Sequence, residues 1–253
     1  MNIDLSTLSA VERLTLGLRG LYESRGYRLF SMNRLEEYSL YVENMDFLQS
    51  REIIVFSDLD GRLMALKPDI TLSIAKSING DSRALEKLYY HENVFRASPH
   101  AKEYREIAQT GLECIGAVTE YDLAEMLFLA QRTLAAVDEN YAMDVSHLGF
   151  VSAVMEELGA DGALSKRLLG LLQKKAPHEM TRLARASGMN EGKGSALARL
   201  ATVSGGFDRT MEEAKSLGQG PRSKAALAEL AAICEPLGKS RLRLDFSIVS
   251  DMQ

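Results

Sequence analysis

Two long runs of β-favouring residues, 87–96 and 104–116, flank a short segment, 97–103, that carries Pro99. Strands this close in sequence pair antiparallel, because a parallel return needs a crossover of a dozen residues or more. A lone two-stranded hairpin is marginal in water, so arms of this length require further strands or helices against one face. The upstream sequence offers both. Residues 52–57 and 62–67 are two more β runs around Asp58-Leu59-Asp60-Gly61, where Asp-Gly supplies the positive φ of a tight turn. After Pro68, residues 69–78 predict a helix, with Asp69 placed to cap its first amides.

The remaining N-terminal pattern predicts a helix over 9–25, with Val11, Leu14, Leu18, Leu21 and Tyr22 at helical spacing and Gly26 as its stop. Residues 27–32 predict a strand and 35–42 a short amphipathic helix. Beyond the long hairpin, 119–137 reads as a helix and 142–148 as a strand. The composition then changes. All nine tyrosines precede residue 142, and 150–240 has only Phe150 and Phe207 as aromatics in an Ala, Leu, Lys, Arg and Glu background. Its glycines and Pro177 punctuate a set of short helices. The expected organisation is a core domain over 1–149, a helical insertion over 150–240, and a strand at 241–253 that returns to the core.

Composition excludes several classes. With 46% hydrophobic and 26% charged residues the chain is an ordinary globular protein. Cys114 and Cys234 are far apart and lack a CxxC spacing, which argues against a disulfide scaffold or a structural zinc site and favours a reducing, cytoplasmic compartment. No apolar run is long enough to span a bilayer, and the start lacks a signal peptide's pattern. Net charge is -5, the wrong sign for holding nucleic acid through its phosphates. Residues 150–240 carry 13 Lys+Arg against 10 Asp+Glu, a balance too weak for a polynucleotide site.

On the second arm of the long hairpin, Arg105, Ile107, Gln109, Gly111 and Glu113 share a face, since side chains two apart point the same way. Gln109 and Glu113 flank a glycine there. A glycine inside a strand often marks the close approach of a ligand or another backbone, so the trio suggests a floor for a small polar molecule; a solvated strand face is the equal alternative. Arg96, ending the first arm, can reach the same floor as an anion-binding fork, or pair with Glu103 or Glu106. Asp69 and Thr71 suit an ammonium group, with helix capping as the structural alternative.

Other motifs carry less. The segment GMNEGKGS at 188–195 has three residues between its first two glycines where a phosphate loop needs four, and no strand precedes it. His91, His100, His147 and His178 have no HExxH or i, i+4 partner. Cys114 lies on the strand face opposite Gln109 and Glu113, Cys234 in an Ala-rich helix, and no GxSxG elbow occurs. Neither metal nor cofactor is expected.

The hairpin segment KLYYHENVFRASPHAKEYREIAQTGLECIG resembles the second signature motif of class II aminoacyl-tRNA synthetases in their histidyl form, in which one strand ends in Phe-Arg and the next carries Arg, Gln, Gly and Glu. RLMALKPDITLSIAKS is similar to that group's arginine-proline-acid-x-threonine segment, with Lys67, Pro68, Asp69 and Thr71 in those places. RLRLDFSIVSDMQ resembles the strand leading into a Tyr-Tyr-x-Gly histidine-binding motif. The resemblance implies an α+β fold, a class II synthetase-like, mostly antiparallel sheet flanked by helices, with the helical stretch as an insertion.

Departures accompany the matches. Asn33 stands where the first-motif proline is expected, Ser98 at the acid that serves ATP, and Ser250 at the second catalytic arginine. Because adenylation depends on positioned charge, activation of histidine is not expected. The retained set, Asp69, Thr71, Arg96, Arg105, Gln109 and Glu113, is an amino-acid-sized polar floor. This combination is similar to the family's non-catalytic paralogues, which regulate ATP phosphoribosyltransferase in the first step of histidine biosynthesis. It implies the short-form catalytic subunit as partner, histidine as a small-molecule ligand, self-association through the first helix and the following strand, and neither nucleic acid nor membrane. A histidine-tRNA ligase or another amino-acid-activating enzyme is the alternative. The resemblance also implies a chain that ends before the last strands of its own sheet, with an exposed edge and an unfilled core near 242–248.

Overall fold

Residues 7–43, 53–78, 84–98 and 103–249 are described by the structure, a computed structural model. They divide into two units, one running to Asp122 and one from Leu123 onward.

The first unit opens on α1 (Ala10–Glu23), whose entry is fixed by a capping box: Ser9 Oγ accepts from the Glu12 amide and the Glu12 carboxylate accepts from the Ser9 amide. Gly26, at φ 80°, turns the chain out of the helix. Only the second half of the expected apolar face is covered, by burial of Leu18 and Tyr22, while Val11 remains 64% exposed. The next strand, β1 (Arg28–Leu29), is shorter than the 27–32 run and pairs in parallel with the long hairpin. Residues 35–42 are not one helix. Leu35–Glu37 form β2, and α2 (Tyr38–Glu43) follows. The physical reason is the neighbouring strand: β2 pairs antiparallel with β4 (Leu63–Leu66), Leu35 opposite Leu66, and that ladder takes the backbone groups a first helical turn would use. β3 (Val55–Ser57) completes the sheet β2-β4-β3. The predicted turn is present, with Gly61 at φ 80° and the Asp58 carboxylate accepting from the amides of Asp60 and Arg62.

α3 (Thr71–Ser77) is followed by the hairpin of β5 (Glu86–Ser98) and β6 (Glu103–Ile115), paired from Glu86 opposite Ile115 to Ser98 opposite Glu103. With β1 these make the sheet β1-β5-β6. Ile70 and Ile74 pack with Leu88 and Val94, which places α3 against one face of the hairpin. The start of α4 (Glu120–Val137) is tied to β5: Asp122 and Thr119 cap each other and Lys87 Nζ lies 2.9 Å from the Asp122 carboxylate. The Thr119 hydroxyl, then Lys87, hold that carboxyl at about 2.

The second unit is built around a large apolar core. It contains the rest of α4, β7 (Met143–Val145), α5 (Leu148–Glu157), α6 (Gly162–Gln173), α7 (Pro177–Ala186), α8 (Glu191–Leu200), β8 (Ser204–Gly206), α9 (Phe207–Leu217), α10 (Pro221–Cys234) and β9 (Leu242–Asp245). The GMNEGKGS segment forms the start of α8, capped by Asn190, whose Oδ1 accepts from the Lys193 amide. Two expectations need correcting. The chain divides at Asp122/Leu123, not near 149–150. The strand after residue 241 pairs with β7 in parallel and with β8 antiparallel, in a sheet of its own, instead of joining β5 and β6. Nor is it a bare edge: β9 is the central strand, and Leu242, Leu244 and Phe246 are buried, because α-helical side chains of the same unit close over them. Ile248, beyond the strand, is exposed. Among the described residues no helix is long and apolar enough to cross a membrane. The start of the 52–57 run, the loop with Pro99 and His100, the side chain of Ser98, and Ser250 to Gln253 lie outside the described residues.

Candidate functional site

Directly opposed residues of an antiparallel pair share a face, so the register puts Arg96, Val94, Glu92, Tyr90 and Leu88 of β5 beside Arg105, Ile107, Gln109, Gly111 and Glu113 of β6. This face is not simply wet. α3 lies against it, and the segment Pro68 to Thr71 brings its polar groups to both ends. At one end Thr71 Oγ1 donates to Glu113 Oε1 at 2.8 Å. At the other, Arg96 Nε donates to the Pro68 carbonyl at 3.1 Å. Asp69 lies between them in the chain, and its Oδ1 accepts from the Leu72 amide at 3.2 Å, so its capping role is real.

The electrostatics concentrate at Glu113. Burial pushes its carboxyl above the usual range, the Thr71 hydroxyl pulls it back in part, and the Asp69 charge pushes it up again. Burial, then Glu113 and Asp69, push the Tyr90 phenol up to about 12. Two carboxylates and a hydroxyl facing one small region form a cation-seeking cluster, while Arg96, whose Nε donates to the Pro68 carbonyl, stands at the hairpin's other end.

Gly111 has a different reason from the one the strand pattern suggested. The Tyr90 side chain occupies the space above it: a Cβ built on Gly111 would fall 2.3 Å from Tyr90 Oη. A side chain of the floor, not a ligand, makes the close approach. Arg105 does not join the cluster. It faces Arg96 in the register but pairs with Glu103, and its side chain is 59% exposed. Gln109 is half-buried, opposite Glu92.

Glu92 is the residue that sequence reasoning missed. Fully buried Lys67 places its Nζ 2.5 Å from Glu92 Oε2, and Glu92 Oε1 lies 3.4 Å from the Met32 amide and from Ser31 Oγ. This pair joins β5 to the end of β4 and to the stretch after β1, and it fixes the floor under Gln109. The signal was available in parity, since 88, 90, 92, 94 and 96 must share the face of their partners on β6.

A long hairpin whose face carries a polar cluster, closed by a Pro-Asp-x-Thr segment and a short helix, is the arrangement that the resemblance to class II aminoacyl-tRNA synthetases implies. The comparisons narrow that class. A family profile described as histidyl-tRNA synthetase matches residues 2–253, and the chain belongs to that family. It is 29% identical to a histidine-tRNA ligase of Archaeoglobus fulgidus over 161 residues, 62% of this chain and 39% of the relative. It is 26% identical to an ATP phosphoribosyltransferase regulatory subunit of Halothermothrix orenii over 235 residues, 90% of this chain and 55% of the relative. The chain thus spans about half the length of the curated relatives it matches. A solved structure of an ATP phosphoribosyltransferase regulatory subunit/histidyl-tRNA synthetase from Bacillus halodurans shares the fold, with TM-score 0.78 and 22% identity, covering 98% of this chain and 70% of that one.

Proposed function

We propose that this chain belongs to a non-catalytic regulatory subunit that activates a short-form ATP phosphoribosyltransferase and takes part in its feedback by histidine. The observation that carries the reading is the contrast within β5 and its surroundings. The polar set of Asp69, Thr71, Arg96 and Glu113 is retained, while Ser98 stands where a synthetase of this family is expected to hold the acid that serves ATP. A site of that kind binds an amino acid without the charge needed to drive adenylation. Feedback requires only that histidine favour one state of the assembly over another. Self-association is part of the reading, and Val11, Leu16 and Leu29, all more than half exposed on α1 and β1, are the apolar residues available for it.

Pyrophosphate exchange with histidine and ATP separates this reading from a ligase. Exchange at background level, together with a larger particle by light scattering when the full-length protein meets a short catalytic subunit, is the expected result. Robust exchange would make the protein an amino-acid-activating enzyme.

A further inference from the structure

Within the second unit, α6 and α7 pack side by side and leave a cleft of about 590 Å³. Its rim is cationic. Lys166, Gly170 and Lys174 follow one another at four-residue spacing along α6 and its cap, Arg167 stands beside them, and Arg182 faces them from α7. Arg167, Lys174 and Arg182 form no ion pair with another described residue, although acids do meet Lys175, Lys215, Arg222 and Arg243 of the same unit. The floor is different in kind. Leu171 and Leu183 are half-buried, and a Cβ added at Gly170 would meet nothing within 4 Å, so another chain has room to approach.

We propose that this cleft docks an acidic, amphipathic segment of the protein that the chain regulates, a proposal that rests on the regulatory reading above. Unpaired guanidinium forks are matched by carboxylates, and an apolar floor is matched by the other face of the same segment. A phosphate backbone fits less well. It has no use for the apolar floor of Leu171 and Leu183, which an amphipathic peptide covers.

The test uses the full-length protein, a short catalytic subunit, and the triple variant Arg167→Glu, Lys174→Glu, Arg182→Glu, whose three side chains are exposed. Calorimetry at low and high salt should show wild-type binding that weakens with salt, and a variant at least about tenfold weaker with a flatter salt dependence. The neutral variant Arg167→Gln, Arg182→Gln should fall between them, and it reads the same quantity if charge reversal harms folding. Wild-type binding with both variants unchanged overturns the cleft assignment and leaves the regulatory reading intact. Absence of wild-type binding overturns the regulatory reading and the cleft with it. Binding of duplex RNA by the wild type that is lost in the triple variant, with subunit binding unchanged, also overturns the proposal and assigns the cleft to nucleic acid.

Discussion

On the proposed reading, Glu113 is the residue that receives the ligand's ammonium group. Replacing it with Ala should weaken histidine binding by about 1.5–3 kcal/mol, the range for a hydrogen bond to a charged group, as read by calorimetry. Its pH behaviour follows from the direction of its shift. The folded protein raises this carboxyl above 4.5, so the folded state favours the neutral form. Its contribution to stability is therefore fully present below 4.5 and is lost as pH rises through the raised folded value. Ligand affinity has the opposite slope, since only the ionised carboxylate attracts an ammonium, and it should fall on acidification at a higher pH than an ordinary glutamate would give. Glu113→Gln should flatten both profiles. Lys67 and Glu92 make a second residue-scale case. Removing one member strands a charge in a buried place, so Glu92→Ala should cost about 3–5 kcal/mol in denaturant unfolding, and a loss below about 1 kcal/mol would show that water reaches Lys67. Asp69, Thr71 and Glu113 were legible in sequence because strand parity and a helix start place them. The Lys67 and Glu92 pair was not, because the two residues are 25 positions apart and meet only where the Phe95 amide of β5 donates to the Lys67 carbonyl.

Among elements, the long hairpin was the most legible, since its two arms and their parity need only local pattern. What local pattern missed was the occupant of the space over Gly111. That position is a packing constraint: Gly111→Ala forces the Tyr90 ring aside and should destabilise the protein by about 1–3 kcal/mol. In a Tyr90→Val background the same substitution should cost less, and an unchanged cost across the double-mutant cycle would mean the strain lies elsewhere. The helix expected over 35–42 failed for a related reason. Leu35, Tyr38 and Val42 fit a helical spacing, yet β4 offers Leu35–Glu37 a ladder, and tertiary pairing overrode the weak preference of a short segment. The strand at Leu242–Asp245 was recognised as a strand, but its partners were not, because parallel pairing with β7 spans almost a hundred residues that carry no local mark.

For the whole molecule, two units with different chemistry support one reading of division of labour. The first carries the polar cluster around Thr71 and Glu113, and the second carries the cationic cleft. The shift in composition announced a second architecture, though not its true boundary, because α4 begins with its cap tied to β5 by Lys87 and Asp122 and continues into the other unit's core. The central claim is that the protein acts on another enzyme rather than on histidine itself. The rate of phosphoribosyl transfer by a short catalytic subunit, measured with and without the full-length protein and then with added histidine, tests it most directly. The account predicts a rate that rises when the protein is present and falls again with histidine; a rate unchanged by the protein at concentrations where light scattering would detect the complex would contradict it.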